Sequence, residues 1–253
     1  MRIGIFDSGL GGLLVARSIK RYLPEYDYVY LGDTKRVPYG NKSHETVYEF
    51  TKEAVDYLFR RENCALVVVA CNTASARALR KIQQEYLPKY FPNRKVLGVL
   101  IPAAETAAKY QSVGILATTG TVNSETFPTE IHKLNKQTNV FQNPAPMLVP
   151  LIEAGETKLA QPFLAKYLQP FKNRKIKALV LGCTHYPILK SEIKKLLPKN
   201  TKIISQDEIV PKSLKAYLAR HPEIEKKLSK KSTVKIFVTD KTPQIEKLVK
   251  KWF

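Results

Sequence analysis

Short apolar runs alternate with amphipathic stretches almost from end to end of the 253-residue chain. Runs such as Ala65-Leu66-Val67-Val68-Val69-Ala70 and Ala178-Leu179-Val180-Leu181 are continuous, the pattern of strands buried on both faces. The apolar runs predict strands near 2–6, 28–32, 65–70, 95–99, 113–117, 138–142, 177–182, 202–205 and 234–238. Between them, apolar residues recur at helical spacing over 11–22, 44–61, 74–87, 102–110, 122–135, 158–171, 187–197, 207–219 and 242–252. This alternation predicts an α/β protein of parallel sheets covered by helices, with its site at the carboxyl ends of strands. No Gly/Ser linker divides the chain, and boundaries are expected near 97–100 and 206–210.

Two of the apolar runs end alike. One delivers Cys71-Asn72-Thr73 and the other Cys183-Thr184-His185, each a thiol followed by small polar groups. A second pair of runs matches too: Ile3-Gly4-Ile5-Phe6-Asp7-Ser8-Gly9 and Val113-Gly114-Ile115-Leu116-Ala117-Thr118-Thr119-Gly120. Asp7 falls opposite Ala117 at an offset of 110 residues, and Cys71 opposite Cys183 at an offset of 112. Two signatures at nearly one offset are what a duplicated α/β unit leaves behind.

Bulk properties narrow the class. No apolar run approaches the roughly 20 residues of a membrane span, and the first apolar stretch is too short for a signal peptide. Three widely spaced cysteines make no disulfide framework, so the expected location is the cytoplasm. The net charge of +20 is concentrated toward the end, where residues 190–253 hold 17 Lys/Arg against 7 Asp/Glu. These lysines interleave with apolar residues at helical spacing, as on solvated amphipathic faces, so nucleic acid is not the expected partner. A small anionic substrate would still be drawn toward such a molecule.

Candidate chemistry gathers at the predicted strand ends. Asp7-Ser8-Gly9-Leu10-Gly11-Gly12 lacks the third glycine of a dinucleotide fingerprint, because Leu14 sits near that position, and it lacks the Gly-Lys-Ser/Thr ending of a phosphate loop. A carboxylate-binding turn and a structural tight turn both fit it. Val37-Pro38-Tyr39-Gly40 reads alone as an ordinary turn, and the hydroxyls of Thr118-Thr119-Gly120-Thr121 read as helix caps that could also meet a substrate. Glu153 lies within an apolar turn and, alone, reads as a surface residue. Cys64 fits a buried small hydrophobe. A zinc site from Cys71, Cys183, His185 and Asp7 has no Cys-x-x-Cys spacing behind it. Of the four histidines, only His185 sits beside a candidate catalytic group; His44, His132 and His221 have no such neighbour.

Taken together, these segments resemble the glutamate branch of the cofactor-independent aspartate/glutamate racemase superfamily. The resemblance rests on Gly4-Ile5-Phe6-Asp7-Ser8-Gly9-Leu10-Gly11-Gly12, Val37-Pro38-Tyr39-Gly40, Val69-Ala70-Cys71-Asn72-Thr73-Ala74-Ser75-Ala76, Gly120-Thr121-Val122, Val149-Pro150-Leu151-Ile152-Glu153 and Leu181-Gly182-Cys183-Thr184-His185-Tyr186-Pro187. These segments run in order from residue 3 to about 197. The chain departs from the usual pattern at Ala103, at Ala145 and at Ser205-Gln206, and its last 45 residues match weakly.

The resemblance implies two pseudo-symmetric α/β domains with the active site in the cleft between them. The first would comprise 1–98 plus 208–253, the C-terminal stretch returning to it, and the second 99–207. It implies interconversion of L- and D-glutamate without metal or other cofactor, supplying D-glutamate for peptidoglycan, in a homodimer. Cys71 and Cys183 map onto the two acid/base cysteines, Asp7 and His185 onto their assisting residues, and Glu153 onto a supporting carboxylate. Asp7, Ser8, Pro38, Tyr39, Gly40, Asn72, Thr73, Thr118, Thr121, Thr184 and His185 map onto positions that contact substrate.

The chemistry is consistent with that assignment. Racemisation removes a proton from one face of the α-carbon and returns one to the other, so two opposed groups that both accept and donate are the direct solution. An unperturbed thiol with a pKa of about 8.5 is only about 3 % thiolate at pH 7, so each sulfur needs help in turn. Asp7 is expected to serve Cys71, and His185 to serve Cys183. Other readings are a racemase of another amino acid such as aspartate, a hydrolase or decarboxylase needing one thiol, and a basic binding protein with no turnover.

Overall fold

Strands β1 (Arg2–Asp7), β2 (Tyr28–Gly32), β3 (Cys64–Val69) and β4 (Lys95–Gly98) pair in parallel, with β1 between β2 and β3. The structure, a computed structural model, describes all of residues 1–253. Strands β5 (Ser112–Ala117), β6 (Asn139–Pro144), β7 (Ala178–Gly182) and β8 (Lys202–Ile204) form a second parallel sheet. The last strand, β9 (Val234–Val238), returns to the first sheet and pairs with β2. The first sheet runs β4-β3-β1-β2-β9 and the second β6-β5-β7-β8. Read from its other edge, the second sheet is β8-β7-β5-β6, which repeats β4-β3-β1-β2 strand for strand.

The repeat fixes where the sulfurs go. Phe6 pairs with Val69 in the first sheet, and Ala117 with Gly182 in the second. Cys71 therefore emerges just beyond the end of β3 beside β1, and Cys183 just beyond the end of β7 beside β5. All four strands are buried along nearly their whole length, which explains the continuous apolar runs. The largest apolar cluster crosses from one half to the other, joining Leu13 and Leu14 to Leu181, Leu189 and Leu214. Helix Gln206–Arg220 packs on both Gly12–Tyr22 and Leu100–Ala107, so it binds the halves behind the cleft.

Periodicity locates the strands within two residues but smooths over broken helices. The stretch expected as one helix over 74–87 is Asn72–Arg77, Leu79–Lys81, a π-turn Ile82–Tyr86 and Leu87–Tyr90. The stretch expected over 122–135 is two helices, Thr119–Asn123 and Thr126–Leu134, parted by Glu125 in a left-handed conformation (φ 52°). Residues expected as a turn around Glu153 form the helix Leu148–Glu153. Its six residues are too short for a helical period to register. No helix is long and apolar enough to cross a membrane.

Candidate active site

Both sulfurs open onto one cavity of about 250 Å³ between the carboxyl ends of the two sheets. Cys71 caps helix Asn72–Arg77: its Sγ accepts from Ala74 N at 3.4 Å and from the Ser8 hydroxyl at 3.2 Å. Asp7 lies behind Ser8, almost fully buried, and does not line the cavity. Its carboxylate accepts from Gly9 N at 3.0 Å and from the Thr184 hydroxyl of the other half at 3.5 Å. Burial pushes Asp7 above the ordinary carboxylate range, while the charge of His185 and the N–H groups of Gly9 and Gly12 pull it down. Burial also pushes the Cys71 thiol up to about 12, and Asp7 adds to the rise against the Ser8 and Ala74 donors. Ser8 is thus the direct partner of Cys71, and Asp7 acts on the sulfur through its charge.

The environment of Cys183 is opposite in character. His185 Nδ1 lies 3.7 Å from Cys183 Sγ, and His185 Nε2 lies 2.9 Å from Glu153 Oε1. Burial disfavours a charged ring here, but the bonds to Cys183 and Glu153 and their negative charge outweigh it, raising His185 to about 10. A histidine ring favoured in its charged form therefore stands beside one sulfur, and the buried acid Asp7 near the other. Trp252, at the end of helix Pro243–Trp252, meets the His185 ring edge-on at 5.6 Å and shields it from solvent.

The two halves approach very closely around these groups. A Cβ on Gly11 would lie 2.4 Å from His185 Nδ1 and 2.5 Å from the Thr184 hydroxyl. A Cβ on Gly120 would lie 2.8 Å from the carbonyl of Gly40. Between these contacts the Thr73, Thr118 and Thr121 hydroxyls form a triangle across the seam, with edges of 2.8, 3.3 and 3.0 Å. Arg77 Nε donates to the Gly120 carbonyl at 3.0 Å, and Arg77 also donates to the Lys42 carbonyl.

The loop Val37–Asn41 forms another wall of the cavity. It is anchored from below: the Tyr39 hydroxyl and Arg36 Nε each donate to Asp33 Oδ2 at 2.6 Å, and the Thr239 hydroxyl, just past β9, donates to Asp33 Oδ1 at 3.0 Å. The returning C-terminal strand therefore helps hold this wall. Burial and the Asp33 contact push Tyr39 far above the ordinary phenol range, so it stays a neutral donor.

Of the residues singled out in the sequence, Ser8, Pro38, Tyr39, Gly40, Cys71, Asn72, Thr73 and Thr118 line this cavity, as do Glu153, Cys183, Thr184 and His185. Asp7 and Thr121 stand one layer behind, bonded to residues that do. Cys64 is buried beneath Gly4, far along β3 from its carboxyl end. No cluster of three or more His, Cys, Asp or Glu side chains is placed to hold a metal ion. Sequence reasoning did not place Asp33, Arg77, Gln206 or Trp252 at the site: Asp33 bonds Tyr39, Gln206 bonds Asn72 and Trp252 meets His185, while Arg77 ties the Gly120 and Lys42 carbonyls together beside the cavity. Gln206 and Asn72 are 134 residues apart, and no local pattern announces that pairing.

The sequence profile of the Asp/Glu/Hydantoin racemase family matches residues 11–209. A glutamate racemase of Persephonella marina is 41% identical over 255 aligned positions, covering 98% of this chain and 92% of that protein. The crystal structure of a Francisella tularensis glutamate racemase in complex with D-glutamate superposes with a TM-score of 0.90 at 32% identity, covering 99% of this chain and 92% of that one. A Bacillus anthracis glutamate racemase isoform, RacE1, superposes with a TM-score of 0.89 at 34% identity, covering 99% of this chain and 93% of that one.

Proposed function

The chain belongs to the Asp/Glu/Hydantoin racemase family, and we propose that it interconverts L- and D-glutamate with Cys71 and Cys183 as opposed acid and base. The observation that carries this reading is a pair of sulfurs presented by equivalent strands of two repeated sheets onto one shared cavity.

In the resting enzyme Cys71 is a neutral thiol, poised to donate, and Cys183 faces an imidazolium that stabilises negative charge on its sulfur. Cys183 as thiolate takes the α-proton from one face of the bound amino acid, breaking the Cα–H bond. The electron pair left on the α-carbon takes the Cys71 proton from the other face, and the enantiomer results. Cys71 is then a thiolate held by the Ser8 hydroxyl and Ala74 N–H, and Cys183 is a thiol. The other enantiomer runs the same steps in reverse. His185, steadied by Glu153, moves charge on and off Cys183.

The carbanion-like state needs donors around the α-carboxylate, and Ser8, Asn72, Thr73, Thr118 and Thr184 supply them from both halves. No lysine or arginine lines the cavity, so the carboxylates meet neutral donors and His185. Asp7 and Thr121 act from behind, Asp7 through the Thr184 hydroxyl, Thr121 through the threonine triangle.

The division into 1–98 plus 208–253 and 99–207 is supported by β9 joining the first sheet. A cytoplasmic homodimer supplying D-glutamate for peptidoglycan is the setting the family resemblance supports.

The test is circular dichroism of L-glutamate incubated with the purified protein and no added cofactor. The signal should decay to zero as the two enantiomers equalise. Cys71→Ala and Cys183→Ala should each lose at least about 100-fold in rate from either enantiomer. Faster turnover of aspartate would replace the substrate assignment, and a Cys183→Ala enzyme near the wild-type rate would rule out two sulfurs.

A further inference from the structure

We propose that Gln206 is a positioning residue for the substrate: it holds the Asn72 amide by its oxygen and reserves the Asn72 NH2 for a carboxylate of the bound amino acid. The proposal deepens the two-sulfur reading and rests on it. Asn72 follows Cys71 directly, lines the cavity and is 2% exposed. Its Oδ1 accepts from Gln206 Nε2 at 2.9 Å, while its Nδ2 and the Gln206 Oε1 have no protein partner. Gln206 is fully buried and does not line the cavity, so its only hydrogen bond to Asn72 is made from behind.

A primary amide presents a donor on one side and an acceptor on the other, and turning it end for end exchanges them. The backbone of Asn72 is fixed at the start of helix Asn72–Arg77, so the partner of its amide decides which end faces an anion. A donor at position 206 satisfies Oδ1 and leaves NH2 for the ligand. An acceptor-only group there would draw NH2 away and turn the carbonyl oxygen toward a carboxylate, which repels it. A buried donor without a partner is costly, and an arriving carboxylate removes that cost. Gln206 begins the helix that follows β8, so this bond also links the end of the second sheet to the Cys71 loop of the first. Ser205-Gln206 is one of the places where the sequence departs from the family pattern, and the bond gives that departure a role.

The experiment is steady-state racemisation of glutamate by wild type, Gln206→Glu, Gln206→Met and Asn72→Ala, and by the Gln206→Glu/Asn72→Ala double variant. Gln206→Glu is expected to raise KM about 10- to 100-fold while kcat changes by less than about threefold, the signature of a lost charge-assisted contact in binding. Gln206→Met removes the donor without reversing polarity and is expected to raise KM by about fivefold, which keeps the test open if Gln206→Glu does not fold. With Asn72→Ala in place, Gln206→Glu should change KM by less than about twofold, because the two side chains act as a unit. An unchanged KM in the folded Gln206 variants, or an equal rise with and without Asn72, overturns the proposal while leaving the two-sulfur reading intact. A wild type that turns over no glutamate overturns that reading, and this proposal with it.

Discussion

At the scale of single residues, the two sulfurs have neighbours of different charge. Burial first, with a nearby acid adding to it, pushes a thiol up, as at Cys64 beside Glu62 and Cys71 beside Asp7, both raised to about 12. At Cys183 the same depth of burial comes with His185 at 3.7 Å, whose charged form is favoured by Cys183 itself and by Glu153. That charge has a consequence for stability. His185 ordinarily titrates near 6.5 and is raised to about 10 in the fold, so its contribution is fully present below about 6.5 and is lost as pH rises toward about 10. Melting temperatures of wild type and His185→Gln should therefore converge between pH 7 and pH 10, with wild type falling more steeply. Parallel curves would mean the imidazole is neutral throughout. The same substitution should lower the racemisation rate by about 100-fold, read by circular dichroism. Little of this was legible in the residues alone: His185 beside Cys183 invited a pairing, but Glu153 read as a surface residue because its partner lies 32 positions away.

At the scale of elements, short strands and turns do the positioning, and two close approaches decide whether they can. Gly11 opens helix Gly12–Tyr22 and lets it press against Thr184 and His185. Gly11→Ala would set a methyl 2.4 Å from His185 Nδ1 and wedge the halves apart. Its kcat/KM is expected to fall by about 10-fold or more, since small displacements of catalytic groups are expensive. A near-normal value would show that the seam can yield. The return of β9 rests on Asp27, whose carboxylate takes Thr233 N–H at 2.8 Å and the Thr233 hydroxyl at 2.6 Å. Burial works against that charge, but the hydrogen bonds of Thr233 and Ser229 prevail and hold Asp27 at about 2. Its stabilisation is present above the ordinary carboxylate pKa of about 3.9 and is lost as pH falls toward about 2. Asp27→Asn should cost about 1.5–3 kcal/mol in urea unfolding at pH 7, and less near pH 2. Strand positions were legible because strands buried on both faces leave continuous apolar runs. The short helices and the π-turn were not, because a helix of six residues has too few turns to show its period.

At the scale of the whole molecule, the chain makes one sheet pattern twice and faces the two copies across a single cavity. The near-equal offsets of 110 and 112 residues carried that information, since repeated strand order follows from repeated sequence. The offsets did not show the stitching between copies: Gln206 to Asn72, Arg77 to Gly120, and Thr73 to Thr118 all join positions far apart in sequence. These bonds tie the two halves together around the cavity that both sulfurs line, and on the proposed mechanism they would hold the sulfurs on opposite sides of the amino acid. The most direct test of that arrangement is early-turnover racemisation of L-glutamate in D2O, with deuterium at Cα followed by proton NMR and mass spectrometry. Opposed sulfurs predict that D-glutamate carries one deuterium from the first turnovers while unreacted L-glutamate carries none. Deuterium entering recovered L-glutamate as fast as product forms would mean a single base serves both faces, and would contradict the account.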